Sequence, residues 1–440
     1  MKKKTWRASP ELMRLFQTVG RASLLYDIQD SHSGNMAVRH RDEAGNEWIV
    51  ITATGSQKGD LDPSQICFLS PTETDFGYYK ASSETDIHAR ILALDGVGAS
   101  IHAHTKDLAI VTLDDEPKPS QPPPFFPVDP LGYYHLGGMV PVDWVAVPSG
   151  SPEMTKIIPE RLAHHPAAVI QTHGTFARGR NLKEAFFFVC AANNAGYIVR
   201  LLRRLDVNVE KIRRQVQAQP GAAFAYVPSA YTIDDDDICD FPEEKEILAE
   251  FQKAGARIFE SRLSPFHTGS MSVRGVRTML YAPKASMPRE IGGPLWEVPQ
   301  EFRSDDDQEL QMHKRIYEAS DFQTIMHCYI PEAEAMSHFV YPGEREPVGR
   351  IVPIDAEGGF LHLVIPVVPP KTGVEELVRL LHDYKMVIVQ GGGVWAVGGQ
   401  SLSEALHHPS SLREICLYRI GAYELGLDLK RMEPEKAKKW

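Results

Sequence analysis

Two halves of this chain run one pattern of residues in one order, and a repeat of that length means the fold is a single unit solved twice. SGNMAVR (Ser33 to Arg39) precedes the apolar run WIVIT and the turn ATGSQKGDL, and TGSMSVR (Thr268 to Arg274) precedes MLYAPKASMPREI. SSETDIHARIL matches DQELQMHKRIY, and each leads into a short strand carrying histidine, SIHAHT or TIMHCYI. AAVIQTHGTFARGRNLKEAF then matches KMVIVQGGGVWAVGGQSLSEAL, which reads as a buried strand, a Gly turn, a second strand and a helix start. Glu84 to His102 and Glu309 to His327 are both separations of 18 residues. The offset drifts from 235 (Gly34, Gly269) through 225 (His102, His327) to 219 (His173, Gly392), as loop deletions in one copy would produce.

A chain of 440 residues exceeds what one hydrophobic core usually organises. The repeat therefore predicts two domains, 1–225 and 240–440, joined through the Pro-, Ala- and Asp-rich stretch at 220–240. The Asp234 to Asp237 run lacks the glycine and terminal glutamate of a calcium loop and reads as solvated linker. EPKPSQPPPFFPVDP (Glu116 to Pro130) is too proline-rich for helix or sheet and reads as an extended surface connector. The net charge of −11, with scattered basic residues, argues against a nucleic-acid partner. The start MKKKTWRASPELMRLF fails as a signal peptide, and no run suggests a bilayer span, so the expectation is a soluble cytoplasmic protein without a membrane partner. Cys67, Cys190, Cys239, Cys328 and Cys416 are odd in number and widely spaced, which suggests neither a disulfide framework nor a thiolate metal site.

On a strand, side chains alternate between faces, so His102 and His104 project from one face of SIHAHT with Ala103 turned away. Three neutral imidazoles around a divalent ion leave a coordination position for substrate, and His173 in the turn QTHG is the candidate third ligand. A His-x-His pair alone is a weak signal among 17 histidines. Its surroundings strengthen it.

SGNMAVR, ITATGSQKGDL, ASSE, IHAHT and QTHGTFARGRNLKEA, in that order over about residues 10 to 205, resemble the class II aldolase/adducin family. The resemblance implies two three-layer α-β-α domains of α/β class, each with a mostly antiparallel central sheet flanked by helices. It implies a divalent ion on His102, His104 and His173, with zinc first and manganese, iron or cobalt also suited to the donors. It implies that Glu84 works as general acid/base beside the metal, and that Asn35, Thr54, Gly55, Ser82 and Ser83 surround a substrate phosphate. A catalytic tyrosine from the loop between the HAH strand and the HG turn falls on Tyr133 or Tyr134, of which Tyr134 is the provisional choice. The implied activity is retro-aldol cleavage of a ketose, phosphorylated if that phosphate site is functional, through an enediolate. Epimerisation, decarboxylation and an adducin-like binding role remain as alternatives on the same fold.

In the second half Tyr329 stands where His104 does and Gly392 where His173 does, leaving only His327 of the three ligands. The phosphate positions become Ser270, Lys284, Ala285, Asp307 and Gln308, and Asp307 would repel an anion. QGGGVWAVGG is a relic of the HG turn and not a dinucleotide fingerprint, since no helix follows its first strand directly. Because the resembling aldolases are symmetric tetramers, the expectation is a homodimer forming a four-domain pseudo-tetramer, with a second domain as the neighbour of each first.

Overall fold

The computed structural model describes residues 8–30, 32–70, 80–113, 121–218, 244–264, 269–283 and 295–437. The 220–240 linker with its aspartate run, Cys239, residues 116–120 of the proline-rich segment, and Lys284 and Ala285 lie outside the described residues. The chain divides into two units, Met1–Tyr197 and Ile198–Trp440.

In the first unit the sheet is built from β1 (Asn35–Arg41), β2 (Glu47–Thr52), β3 (Ile66–Leu69), β4 (Ala99–Ala103), β5 (Val142–Asp143), β6 (Ala167–Ile170) and β7 (Gly174–Gly179). Their order is β3-β2-β1-β4-β7-β6-β5. Every neighbouring pair is antiparallel except β5 with β6. Period-two alternation sends Ala37, Ile51 and Phe176 into a core with Ile87 and Ile91 of the helix Thr85–Leu92 and Met154, Ile158 and Leu162 of the helix Pro152–His164. The opposite face carries Met36, Val38, Ile101 and Ala177, and all four are buried.

The second unit contains β8 (Ser270–Arg274), β9 (Thr278–Ala282), β10 (Trp296–Pro299), β11 (Thr324–Cys328), β12 (Arg350–Ile351), β13 (Ile365–Val368), β14 (Met386–Val389) and β15 (Gly393–Gly398). Their order, β10-β9-β8-β11-β15-β14-β13-β12, repeats the first sheet with one strand added at the edge, and β13 with β14 is again the parallel pair. One face packs Tyr281, Ile325 and Trp395 against the helices Gln308–Glu318 and Val374–Tyr384. The other packs against the helix Leu402–Glu424, the counterpart of Leu182–Arg204; each is 23 residues long. Both units are thus a central sheet between helices, as the repeat and the resemblance imply.

Two expectations need correction. Phe125, in the proline-rich segment, exchanges both backbone hydrogen bonds with Val140 and is buried, because Phe125 directly follows Pro124 yet carries an N–H of its own to pair. The helix Leu182–Arg204 is long and apolar enough by composition to cross a bilayer, which the sequence reading missed; most of its apolar window is buried inside the fold. Among the described residues, Cys67, Cys190, Cys328 and Cys416 are buried thiols outside any disulfide.

Ile101 lies in the central strand with no exposure. Ile101→Ala is expected to cost about 2–5 kcal/mol by leaving a cavity there. Chemical denaturation checks the loss, with faster hydrogen exchange at the β1, β4 and β7 amides locating it.

Candidate metal centre and active site

His102 sits on β4 with its partners fixed by register, opposite Asn35 on β1 and opposite Phe176 on β7. Its ring stacks on Phe176 at 4.1 Å and 15°, and Nδ1–H donates to the Thr175 carbonyl at 3.1 Å, which leaves the Nε2 lone pair for the site. His104 lies one residue beyond the strand end, and its ring is 4.9 Å from that of His102. His173 comes from the turn between β6 and β7, where Thr172 takes a left-handed φ of 64° and the His173 N–H closes the turn on Ile170. The next residue must be glycine, because a Cβ on Gly174 would stand 2.4 Å from the Ala103 carbonyl. One ligand nitrogen from each of His102, His104 and His173 lies within 4.8 Å of the other two. Three convergent imidazoles suit a borderline divalent ion, so the donors fit a catalytic-type metal site.

Glu84 opens the helix Thr85–Leu92, but its side chain makes no capping bond. It turns into the site, with Oε1 3.3 Å from His173 Nε2 and Oε2 3.9 Å from His102 Nε2. Burial pushes its carboxyl up, yet His102, the hydrogen bonds from His173 and Asn35, and His88 outweigh burial and hold Glu84 well below the usual carboxylate range. Burial pushes His102 far down, and burial with the neighbouring His173 pushes His104 down, so both favour the neutral, ligating form.

Behind Glu84 runs a buried chain that the sequence reading did not single out. Ser100 donates to His88 Nδ1 at 2.6 Å, His88 Nε2–H donates to Asn35 Oδ1, and Asn35 Nδ2 donates to Glu84 at 2.7 Å. Burial pushes His88 down to about 4, which keeps it neutral and sets this polarity. A signal was available: Glu-x-x-x-His occurs at Glu84–His88 and again at Glu309–His313.

Of the residues proposed to hold phosphate, Asn35 is buried with its amide committed to Glu84 and His88. The other four are brought to one place. Ala53 bridges Ala81, the Thr54 N–H and hydroxyl donate to the Lys80 and Ala81 carbonyls, and Ser82 Oγ accepts from the Glu84 N–H at 3.3 Å. Gly55 has a φ of 70° and open space where a Cβ would point, and Ser83 is exposed beside it. Tyr133 and Tyr134 lie on the helix Pro130–His135; Tyr134 sets its ring against His135, and among the described residues neither tyrosine makes a hydrogen bond or ring contact with Glu84 or the three histidines.

The second unit keeps the frame of this site without its ligands. Trp395 stacks on His327 at 4.1 Å and 9°, in the register of Phe176 on His102. Ser270 Oγ joins Glu309 to His313, and Ser272 Oγ joins His313 to Tyr317. His327 Nε2 donates to the Gly392 carbonyl at 2.7 Å, so that nitrogen has no lone pair for an ion.

The sequence profile of the Class II Aldolase and Adducin N-terminal domain family matches residues 14–198 and again residues 249–420, and the chain belongs to that family as a tandem pair. It is 27% identical over 158 residues to a 5-methylthioribulose-1-phosphate/5-deoxyribulose-1-phosphate aldolase of Rhodospirillum rubrum, a match covering 35% of this chain and 64% of that relative, just under two thirds of its length. Among solved structures it is similar to an L-fuculose-1-phosphate aldolase of Thermus thermophilus (24% identity, 48% of this chain, 99% of that one, TM-score 0.37). It is also similar to a sugar-phosphate aldolase of Thermotoga maritima (22% identity, 45% and 97%, TM-score 0.39).

Metal analysis by mass spectrometry is expected to find a divalent ion that His102→Ala removes and His327→Ala retains. A second test concerns pH. Burial pushes His313 down to about 3, whereas an unfolded histidine titrates near about 6.5, so the unfolded state binds the extra proton between those values. Stability therefore falls as pH drops from about 6.5 toward about 3. His313→Gln is expected to flatten that decline in denaturation midpoints.

Proposed function

We propose that the chain is a metal-dependent lyase cleaving a phosphorylated ketose by retro-aldol chemistry at the first unit. The observation that carries this reading is the buried, ionised Glu84 held against three convergent histidines. A divalent ion on His102, His104 and His173, with zinc the first expectation, would supply Lewis-acid polarisation of the substrate carbonyl and adjoining hydroxyl. Glu84 takes the proton from the hydroxyl on the far side of the scissile carbon–carbon bond. As that oxygen becomes an aldehyde carbonyl, the bond breaks and its electron pair stays with the ketone fragment. Glu84 then returns the proton to that carbon. Asn35, fixed by His88, holds the carboxylate oxygen that is not shuttling the proton.

Gly55, Ser82 and Ser83 would hold the phosphate through the Gly55 N–H and the serine hydroxyls, with Thr54, whose own donors go to Lys80 and Ala81, fixing the turn. The phosphorylated ketose in the name of the Rhodospirillum relative supports that substrate class. In this reading residues 1–225 do the chemistry, residues 240–440 are a degenerate partner domain, and the chain works as a cytoplasmic homodimer.

Ketose 1-phosphates, including L-fuculose 1-phosphate and 5-deoxyribulose 1-phosphate, are expected to yield dihydroxyacetone phosphate in a coupled assay. Glu84→Gln is expected to lower kcat by about a hundred- to ten-thousand-fold while metal content stays unchanged. A wild-type chain that binds metal yet cleaves none of these phosphates, or a Glu84→Gln variant at full rate, overturns the proposal.

A further inference from the structure

The second unit carries two histidines that neither the repeat nor the proposed chemistry accounts for. The helices Pro130–His135 and Ala356–Leu361 are equivalent, each capped by an aspartate, Asp129 or Asp355, that accepts from the N–H three residues on. The residue ending the first helix is Leu136, and the residue ending the second is His362. The helices Leu182–Arg204 and Leu402–Glu424 are aligned by NLKEA and SLSEA, which puts His408 where the first unit has Phe188. An apolar pair of positions has become an imidazole pair.

Their rings are 5.3 Å apart at 65°. His362 is only 6% exposed, and its Nε2 has no hydrogen-bond partner; neither His408 nitrogen has one either. An imidazole nitrogen buried without a partner keeps its full desolvation penalty, so such a pair persists in a fold when something else occupies the lone pairs. Among the described residues the carboxylate that acts on His408, Glu404 one turn before it, is taken up by the Gly399 and Gln400 N–H groups. Burial, with the neighbouring imidazoles, pushes both rings down to about 4, which leaves them neutral and able to ligate.

The spacing is that of ligands sharing an ion. With metal–nitrogen bonds of about 2.0–2.1 Å and a tetrahedral angle, two imidazole centroids stand roughly 5 Å apart. The three rings of the first unit's candidate centre are separated by 4.5, 4.9 and 5.1 Å. We propose that His362 and His408 form a second divalent transition-metal site, with two protein ligands and its remaining positions filled by water.

Zinc binding by equilibrium dialysis tests this on the full chain with His102, His104 and His173 all changed to alanine, so that the first centre cannot contribute. That parent is expected to bind about one further ion per chain. His362→Leu with His408→Phe installs the residues that the first unit carries at these positions, so it is expected to fold with an apo unfolding midpoint equal to or above the parent's while zinc affinity falls at least tenfold. A parent that binds no zinc, or a folded double variant that binds as tightly as the parent, overturns the proposal. Neither result bears on the first centre, which metal analysis of a chain with those three histidines intact and His362→Leu with His408→Phe in place reports separately.

Discussion

The pairing of β1 with β4 is the constraint on which the site depends. That register sets Asn35 opposite His102, so one cross-strand pair supplies both the amide that fixes Glu84 and the first imidazole of the cluster. The β4–β7 register sets Phe176 under the same imidazole and leaves the Thr175 carbonyl to orient it. A slip of one residue in either pair would send His102 to the opposite face, among Met36, Ile101 and Ala177. The third histidine depends on the same strand, since the turn carrying it approaches β4 closely enough that Gly174 admits no side chain.

Two copies of one fold separate what holds the sheet from what does the chemistry. The buried chain behind the carboxylate survives in both units, Glu84–Asn35–His88–Ser100 in one and Glu309–Ser270–His313–Ser272 in the other. Its last hydroxyl has changed strands. Ala37 faces Ser100 across the β1–β4 pair, and Ser272 faces Ile325 across β8–β11, so serine and apolar residue have exchanged places within one registered pair. The buried histidine needs a hydroxyl at its Nδ1, and either strand can supply it. A network kept by such an exchange, in a unit that has lost its ligands, is scaffold first.

Much of this was legible in the chain because it is written locally. Strand alternation puts His102 and His104 on one side, and the family resemblance names His173 in the QTHG turn as the third member. The repeat gave the two-unit architecture because gapped patterns survive where single residues do not. Asn35 was harder. Its residue type suits an anion, and only the pairing of strands distant in sequence shows its amide committed to Glu84 and His88. His88 was overlooked for a related reason: inside an amphipathic helix a histidine looks like any other polar residue until its partners, 12 and 53 residues away, are known. The tyrosines stayed ambiguous because adjacent residues on a short helix point in different directions, and pattern alone does not say which one faces a site.

Loss of the metal ligands in the second unit goes deeper than the substituted residues. In the first unit His102 gives its Nδ1 proton to a carbonyl and turns Nε2 toward His173 Nε2, 2.7 Å away within the cluster. In the second, His327 turns Nδ1 to Glu309 and gives Nε2 to the Gly392 carbonyl, at the very residue that replaced a ligand. The backbone has taken the place of the ion. Restoring histidine at 329 and 392 would therefore return two imidazoles but not the third, whose lone pair stays occupied until Glu309 and the Gly392 turn also move. A site disassembled this way is held in its metal-free form by its own hydrogen bonds.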